Sequence, residues 1–371
     1  MPRSPASEAD RQLIADAAGH GATVTARQLE RWRESGLLAP NIRRYPGRGR
    51  GSTSAPPVGA AGAVAWLAAN ARPGRRPGDL ALLMFAEGVA VPEDTVRAAF
   101  AAAVTSIRLP VEAAMRGASP EDIAEAAVKA GQQIQMVPAR IRRIDRALTQ
   151  RGIDWSWPEL ARLDPGRSDS RPDSGYWLYT AVQVMLSGGA GLDMGTIGSL
   201  ARMMAPVGGI APIAGQIEYR WPISPREERD NAPDDEDILA LFGTVDLRDQ
   251  ARALAMVTPA ADLRDAYQAV AAMTAWADGA CTAVEREIAA GQPGEAVKEW
   301  ATAALGPARL IMAVALQNQN AGPAGAAAAA MMLLLIRTTL RAVRQLMPGT
   351  NFDVLENAMV APPCLTDFIG R

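Results

Sequence analysis

Alanine-rich segments recur along almost the whole chain, as in AGAAAAAMMLLLI at residues 324–336. Alanine is the best helix former, and no long alternation of β-branched and polar residues competes with it. Of the 371 residues, 49% are hydrophobic but only 5% are aromatic, which suffices for a sizeable core packed with small side chains. We therefore predict an all-α protein.

Positive charge is concentrated at the start of the chain. Residues 1–76 contain twelve arginines and five acidic residues, a net charge of +7, although the whole chain carries −2. The remaining residues therefore carry −9. A basic segment on an acidic chain predicts an anionic partner for that segment.

Two short helices joined by a tight turn are predicted within this basic segment. Ser7 can cap a first helix that reaches about residue 18, and Thr25 can cap a second helix that Gly36 would end. With a period of 3.6 residues, the second helix has an apolar side formed by Leu29, Trp32 and Leu37 or Leu38. Its other side carries residues that can hydrogen-bond to base edges in the major groove: Arg27, Gln28 and Arg31.

The second helix, TARQLERWRESGLL at residues 25–38, resembles the recognition helix of MerR-type winged helix-turn-helix regulators. The match rests on the spacing of Thr25, Arg27, Leu29, Trp32, Gly36, Leu37 and Leu38. The departures are Gln28, Glu30, Arg31 and the order Arg33-Glu34, and the preceding turn is about one residue longer. The resemblance covers roughly the first 90 residues.

The resemblance implies a winged helix-turn-helix DNA-binding domain over residues 1–90. A basic β-hairpin wing would span residues 41–54, and two short helices would follow near 58–71 and 78–87. The DNA-binding candidates are then Arg27, Gln28 and Arg31 on the helix and Arg43, Arg44, Tyr45, Arg48 and Arg50 on the wing. Double-stranded DNA is the implied partner, and recognition of an inverted repeat implies a homodimer.

Residues 91–371 are predicted to form a large α-helical effector or dimerisation region, divided near residue 165 by the polar, proline-broken segment 163–175. Long helices are expected at about 92–117, 119–152, 246–257, 259–290, 294–318 and 323–347. The helices at 119–151 and 323–347 are candidates for the dimer contact, although neither has a sustained heptad repeat. Adjacent methionines at 203–204 and 331–332 could line a pocket for a small-molecule effector, although core filling is their commoner use.

Enzymatic motifs are sparse, and we predict neither catalytic residues nor a metal or cofactor. His20 is the only histidine, while Cys281 and Cys364 suit small core positions. One alternative is a helical metal-assisted enzyme, because Asp234, Asp235 and Asp237 resemble the magnesium-binding aspartates of terpene-synthase-like enzymes. Ile238 replaces the final acid of that motif, and a capping acidic run explains the segment more simply. A protein-interaction scaffold with an incidental basic domain is a further alternative.

The chain is expected to be cytoplasmic, because it has two cysteines and no hydrophobic leader at its start. The longest charge-free run lies between Arg309 and Arg337, but the polar residues 317–320 and Gly322-Pro323 interrupt it. Two buried helices joined by a turn fit this pattern better than a membrane span.

Overall fold

The computed structural model of the protein describes residues 6–45, 53–107, 138–153, 246–302, 312, 315–316, 321–346 and 368. The predicted linker 163–175 and the segments 108–137 and 154–245 lie outside these residues. The chain is mostly helical, as the sequence predicted, and its described residues form one small two-stranded sheet.

The N-terminal elements follow one another with short connections. They are α1 (Glu8–Gly19), α2 (Ala26–Glu34), β1 (Ile42–Arg44), β2 (Thr53–Ala55), α3 (Ala60–Asn70), α4 (Pro77–Ala86) and α5 (Glu93–Thr105). The two strands are antiparallel, with Arg43 opposite Ser54. The helices predicted near 58–71 and 78–87 are thus confirmed within two residues at each end.

The remaining described helices are α6 (Ala139–Thr149), α7 (Leu247–Val257), α8 (Ala260–Ala290), α9 (Glu295–Thr302) and α10 (Gly322–Leu346). Three of these, α7, α8 and α10, were predicted from the sequence within one residue at each end. Within the helical segment predicted over 92–117, α5 ends at Thr105, and residues 108–117 lie outside the described residues.

Helix α5 packs against α7 and α10, helix α4 packs against α8 and α10, and α4 and α5 pack against each other. Phe100 of α5 lies at the centre of this contact, edge-on to Phe85 of α4 and to Tyr267 of α8, with ring centroids 5.9 and 6.1 Å apart. The guanidinium of Arg264 stacks over Phe85 at 4.7 Å. The elements before residue 90 therefore share a hydrophobic core with the C-terminal helices, and a separate unit ending there stays a prediction.

One helix of the described residues is long and apolar enough by composition to cross a membrane, over Gly322–Thr339. Of this window, 39% is buried inside the protein, where α10 packs against α5, α7 and α8. The guanidinium of Arg337 is buried at the end of the window, 3.5 Å from the carboxylate of Asp262 and over the ring of Phe368. The buried part of α10 therefore belongs to the hydrophobic core.

Candidate nucleic-acid interface

Helix α2 has the two faces that the sequence predicted. Leu29 and Trp32 are 0% and 3% exposed, and Leu37 and Leu38, which follow the helix in the sequence, are also buried. Arg27 and Arg31 are exposed to solvent. Burial of the apolar side thus fixes which side of α2 an approaching ligand would meet.

Both ends of α2 are closed by local hydrogen bonds. At the start, the Thr25 hydroxyl accepts from the Gln28 amide at 3.3 Å, and the Gln28 side-chain oxygen accepts from the Thr25 amide at 2.8 Å. At the end, the Leu37 and Gly36 amides donate to the carbonyls of Trp32 and Arg33, with Gly36 at φ +73°. These are a capping box and a Schellman motif, which give a nine-residue helix defined ends.

The capping box bears on the predicted role of Gln28. A glutamine that reads adenine accepts from the base amino group with its side-chain oxygen and donates with its nitrogen. In this protein that oxygen already accepts bonds from the Thr25 amide and hydroxyl. The geometry therefore favours Arg27 and Arg31 over Gln28 as the residues on α2 that are free to contact a ligand.

Arg33 forms an inward network that sequence reasoning missed. Its guanidinium donates to the Asp10 carboxylate of α1 at 2.6 Å and to the Asn41 side chain at 3.0 Å, just before β1. Burial disfavours the charged form of the Asp10 carboxylate and so raises its pKa. This effect is outweighed by the positive charge of Arg33 and by hydrogen bonds from Ser7, Arg33 and Asn41, so the pKa of Asp10 is lowered. Arg33 follows Trp32 and lies four residues after Leu29, so its helical position already placed it beside the buried face.

The β-hairpin presents further basic and aromatic groups. Arg43 is exposed, and Tyr45 and Ile42 are 73% and 48% exposed. The backbone of Arg44 lies in β1, but its side chain and the predicted contacts Arg48 and Arg50 lie outside the described residues. The structure thus joins a basic helix face and a basic strand through the Arg33 network.

Thr95 is a second residue that the sequence did not single out. Its hydroxyl donates to the Gly36 carbonyl at 2.8 Å and so links the end of α2 to the first turn of α5. A Cβ on Gly36 would lie 2.6 Å from the Thr95 hydroxyl oxygen. The glycine is thus required both by its backbone angle and by this close approach.

The structure describes only some of the other chemical groups that the sequence analysis singled out. No group of three metal-binding side chains occurs in the part of the chain that the structure describes. Cys281 is buried against the Met312 sulfur at 3.9 Å, and burial raises the pKa of its thiol to about 11. His20 lies exposed at the end of α1. Cys364 and the acidic residues 234–237 lie outside the described residues.

The outward-facing arginines of α2 differ from Arg140 on α6 in their ion pairs. On α6, Arg140 forms ion pairs with Asp278 and Glu285 of α8. The hydrogen bond to Glu285 raises the pKa of Arg140, although burial acts in the opposite direction. No ion pair among the described residues joins α2 or β1 to the C-terminal helices. Within the described residues, the solvent-facing arginines of α2 are therefore not neutralised by the C-terminal helices.

Comparison with protein-family models, with curated proteins and with solved structures found no match to this chain.

Proposed function

We propose that this protein is a sequence-specific DNA-binding transcriptional regulator. In this proposal α2 is the recognition helix of a winged helix-turn-helix unit, as in MerR-type regulators, and the hairpin β1–β2 is its wing. The C-terminal helices serve dimerisation or the sensing of a small-molecule effector.

The observation that carries the proposal is the outer face of α2. Arg27 and Arg31 are exposed, one helical turn apart, and form no ion pair within the described residues. An arginine guanidinium can donate two parallel hydrogen bonds to the O6 and N7 atoms of guanine in the major groove. Because buried side chains and two caps already fix the helix, little further ordering of its backbone is needed on binding.

The hairpin supports the same function from the neighbouring surface. Arg43 has a long, exposed cationic side chain, and Tyr45, two residues later, has an exposed ring. Such side chains can contact phosphates or the flanking minor groove while a helix occupies the major groove. The Arg33–Asp10 and Arg33–Asn41 contacts would keep the helix and the hairpin at a fixed spacing.

The proposal is tested by selecting binding sites for the full chain from random DNA duplexes and measuring affinity in gel-shift titrations. We expect one enriched sequence, and replacing Arg27 or Arg31 by alanine should cost about 1–3 kcal/mol and relax the preference at one base position. Arg286→Ala is the matched control, because Arg286 is an exposed arginine on α8. Equal losses with Arg286→Ala, or no enriched sequence, would reject the proposal.

Salt dependence separates phosphate contacts from base contacts. Each phosphate contact contributes about −0.9 to the slope of log affinity against log salt concentration. We expect Arg43→Ala to weaken binding to all sequences nearly alike and to reduce the slope by about one unit. A flat salt response of the unmodified protein would contradict DNA binding through this basic surface.

A further inference from the structure

The first two turns of α5 touch two segments that are far apart in the sequence. The Thr95 hydroxyl donates to the Gly36 carbonyl at the end of α2, at 2.8 Å. The Arg97 guanidinium donates to the carbonyls of Ala255 and Thr258 at the end of α7, at 3.1 and 2.6 Å. One helical turn therefore holds the ends of both helices.

On the α2 side the contact is close. A Cβ on Gly36 would lie 2.6 Å from the Thr95 hydroxyl oxygen, so only a glycine leaves room for it. The carbonyl that accepts the bond belongs to the residue at φ +73° that closes the Schellman motif. A shift of Thr95 would therefore act directly on the end of α2, two turns from Arg27.

On the α7 side the contact caps a helix. The last carbonyls of a helix have no partner within the helix, and a cation near them is favourable. Arg97 supplies both the hydrogen bonds and the charge, with its side chain only 14% exposed and paired with Glu93 one turn earlier. The end of α7 is thus tied to α5 by a guanidinium that is largely shielded from solvent.

We infer that Thr95 and Arg97 are positioning residues through which the C-terminal helices set the position of α2. The two residues are two positions apart on α5 and so project about 200° apart around it. Between them Val96, with Phe100 below it, is buried against the core. Close-packed helices transmit small displacements rather than absorbing them, so a movement of α7 is passed to α2. The effect on DNA rests on the proposed function, whereas the coupling itself does not.

The test uses the full chain with three variants, Thr95→Val, Arg97→Met and the double variant, and Thr95→Ser as the matched control that keeps the hydroxyl. Backbone amide hydrogen exchange is measured at Gly36, Leu37 and Thr258, and affinity is measured for the selected duplex. Coupling between two sites is reciprocal. We therefore expect Thr95→Val to speed exchange at Thr258, and Arg97→Met to speed it at Gly36 and Leu37, each about threefold or more.

Affinity for the duplex should fall about threefold to tenfold in each single variant, because Thr95→Val removes the hydrogen bond to Gly36 and Arg97→Met removes those to the two α7 carbonyls. The double variant should lose no more affinity than the weaker-binding single variant. Thr95→Ser should bind the duplex as tightly as the unmodified protein. If Arg97→Met does not fold, Arg97→Gln replaces it with the same expectations, because its uncharged amide nitrogen falls two bonds short of the Nη1 atom that donates to both carbonyls.

The inference is overturned if each substitution speeds exchange only at its own contact and the losses of affinity multiply in the double variant. Thr95 and Arg97 would then be two independent anchors. Amide exchange needs no DNA, so coupled exchange in a protein that binds no duplex would reject the proposed function and leave the coupling standing.

Discussion

Replacing Trp32 by alanine should destabilise the protein without touching the groups that face a ligand. Trp32 is 3% exposed in the last turn of α2. A buried tryptophan removes about 150–250 Å² from water, which at about 25 cal/mol per Å² corresponds to roughly 4–6 kcal/mol. Measured truncations of buried aromatic residues to alanine cost about 3–5 kcal/mol, so we expect a loss of about 4 kcal/mol. This is a large fraction of the roughly 5–15 kcal/mol by which a domain is stable.

The assay is thermal melting of the full chain, followed by far-ultraviolet circular dichroism. At about 2–4 °C per kcal/mol for domains of 150–250 residues, the midpoint should fall by roughly 8–16 °C. The full chain is needed because a fragment ending at residue 90 would expose Phe85, which packs against Phe100 and under Arg264. Arg27→Ala is the control and should melt like the unmodified protein while binding DNA less tightly.

The opposite pattern would refute this reasoning. If Trp32→Ala leaves the melting midpoint unchanged but abolishes binding to the selected duplex, the indole is a contact residue and not part of the core. The outward roles of Arg27 and Arg31 would then fail too, because they follow from placing Trp32 inward.

Two further predictions concern stability. Asp10 has a lowered pKa in the folded protein, so its contribution to the free energy of unfolding is complete above the unfolded pKa near 3.8 and is lost as the pH falls through the folded value. Asp10→Asn should therefore flatten the acid limb of a curve of stability against pH. An unchanged acid limb would show that the contacts of Asp10 with Ser7 and Arg33 do not stabilise the protein. Gly294→Ala should lower the melting midpoint, because the new Cβ would lie 2.5 Å from the Glu287 carboxylate that caps α9. Gly279 lies in open space within α8, so Gly279→Ala should raise the free energy of unfolding by about 0.5–1 kcal/mol. Equal effects of the two glycine substitutions would contradict the cap.

Several features of α2 follow from the sequence alone, because their causes lie within a few residues. Thr25 and Gln28 are three positions apart, as a capping box requires, and Gly36 follows the last helical turn. The periodicity of Leu29 and Trp32 placed both in the core. The long helices α7, α8 and α10 were predicted for the same reason, since propensity and local breaks define a helix with little help from distant residues.

Other features were decided only by the tertiary structure, because they depend on residues that are distant in the sequence. The helical position of Arg33 places it beside the buried face, but its pairing with Asp10 and Asn41, 23 and 8 residues away, depends on the tertiary structure. Nothing local indicates that Thr95 approaches Gly36 from 59 residues away. Long-range packing also determines that one core is shared by α4, α5, α7 and α10. The apolar face of a helix indicates that the helix is buried, but it does not indicate which helix packs against it.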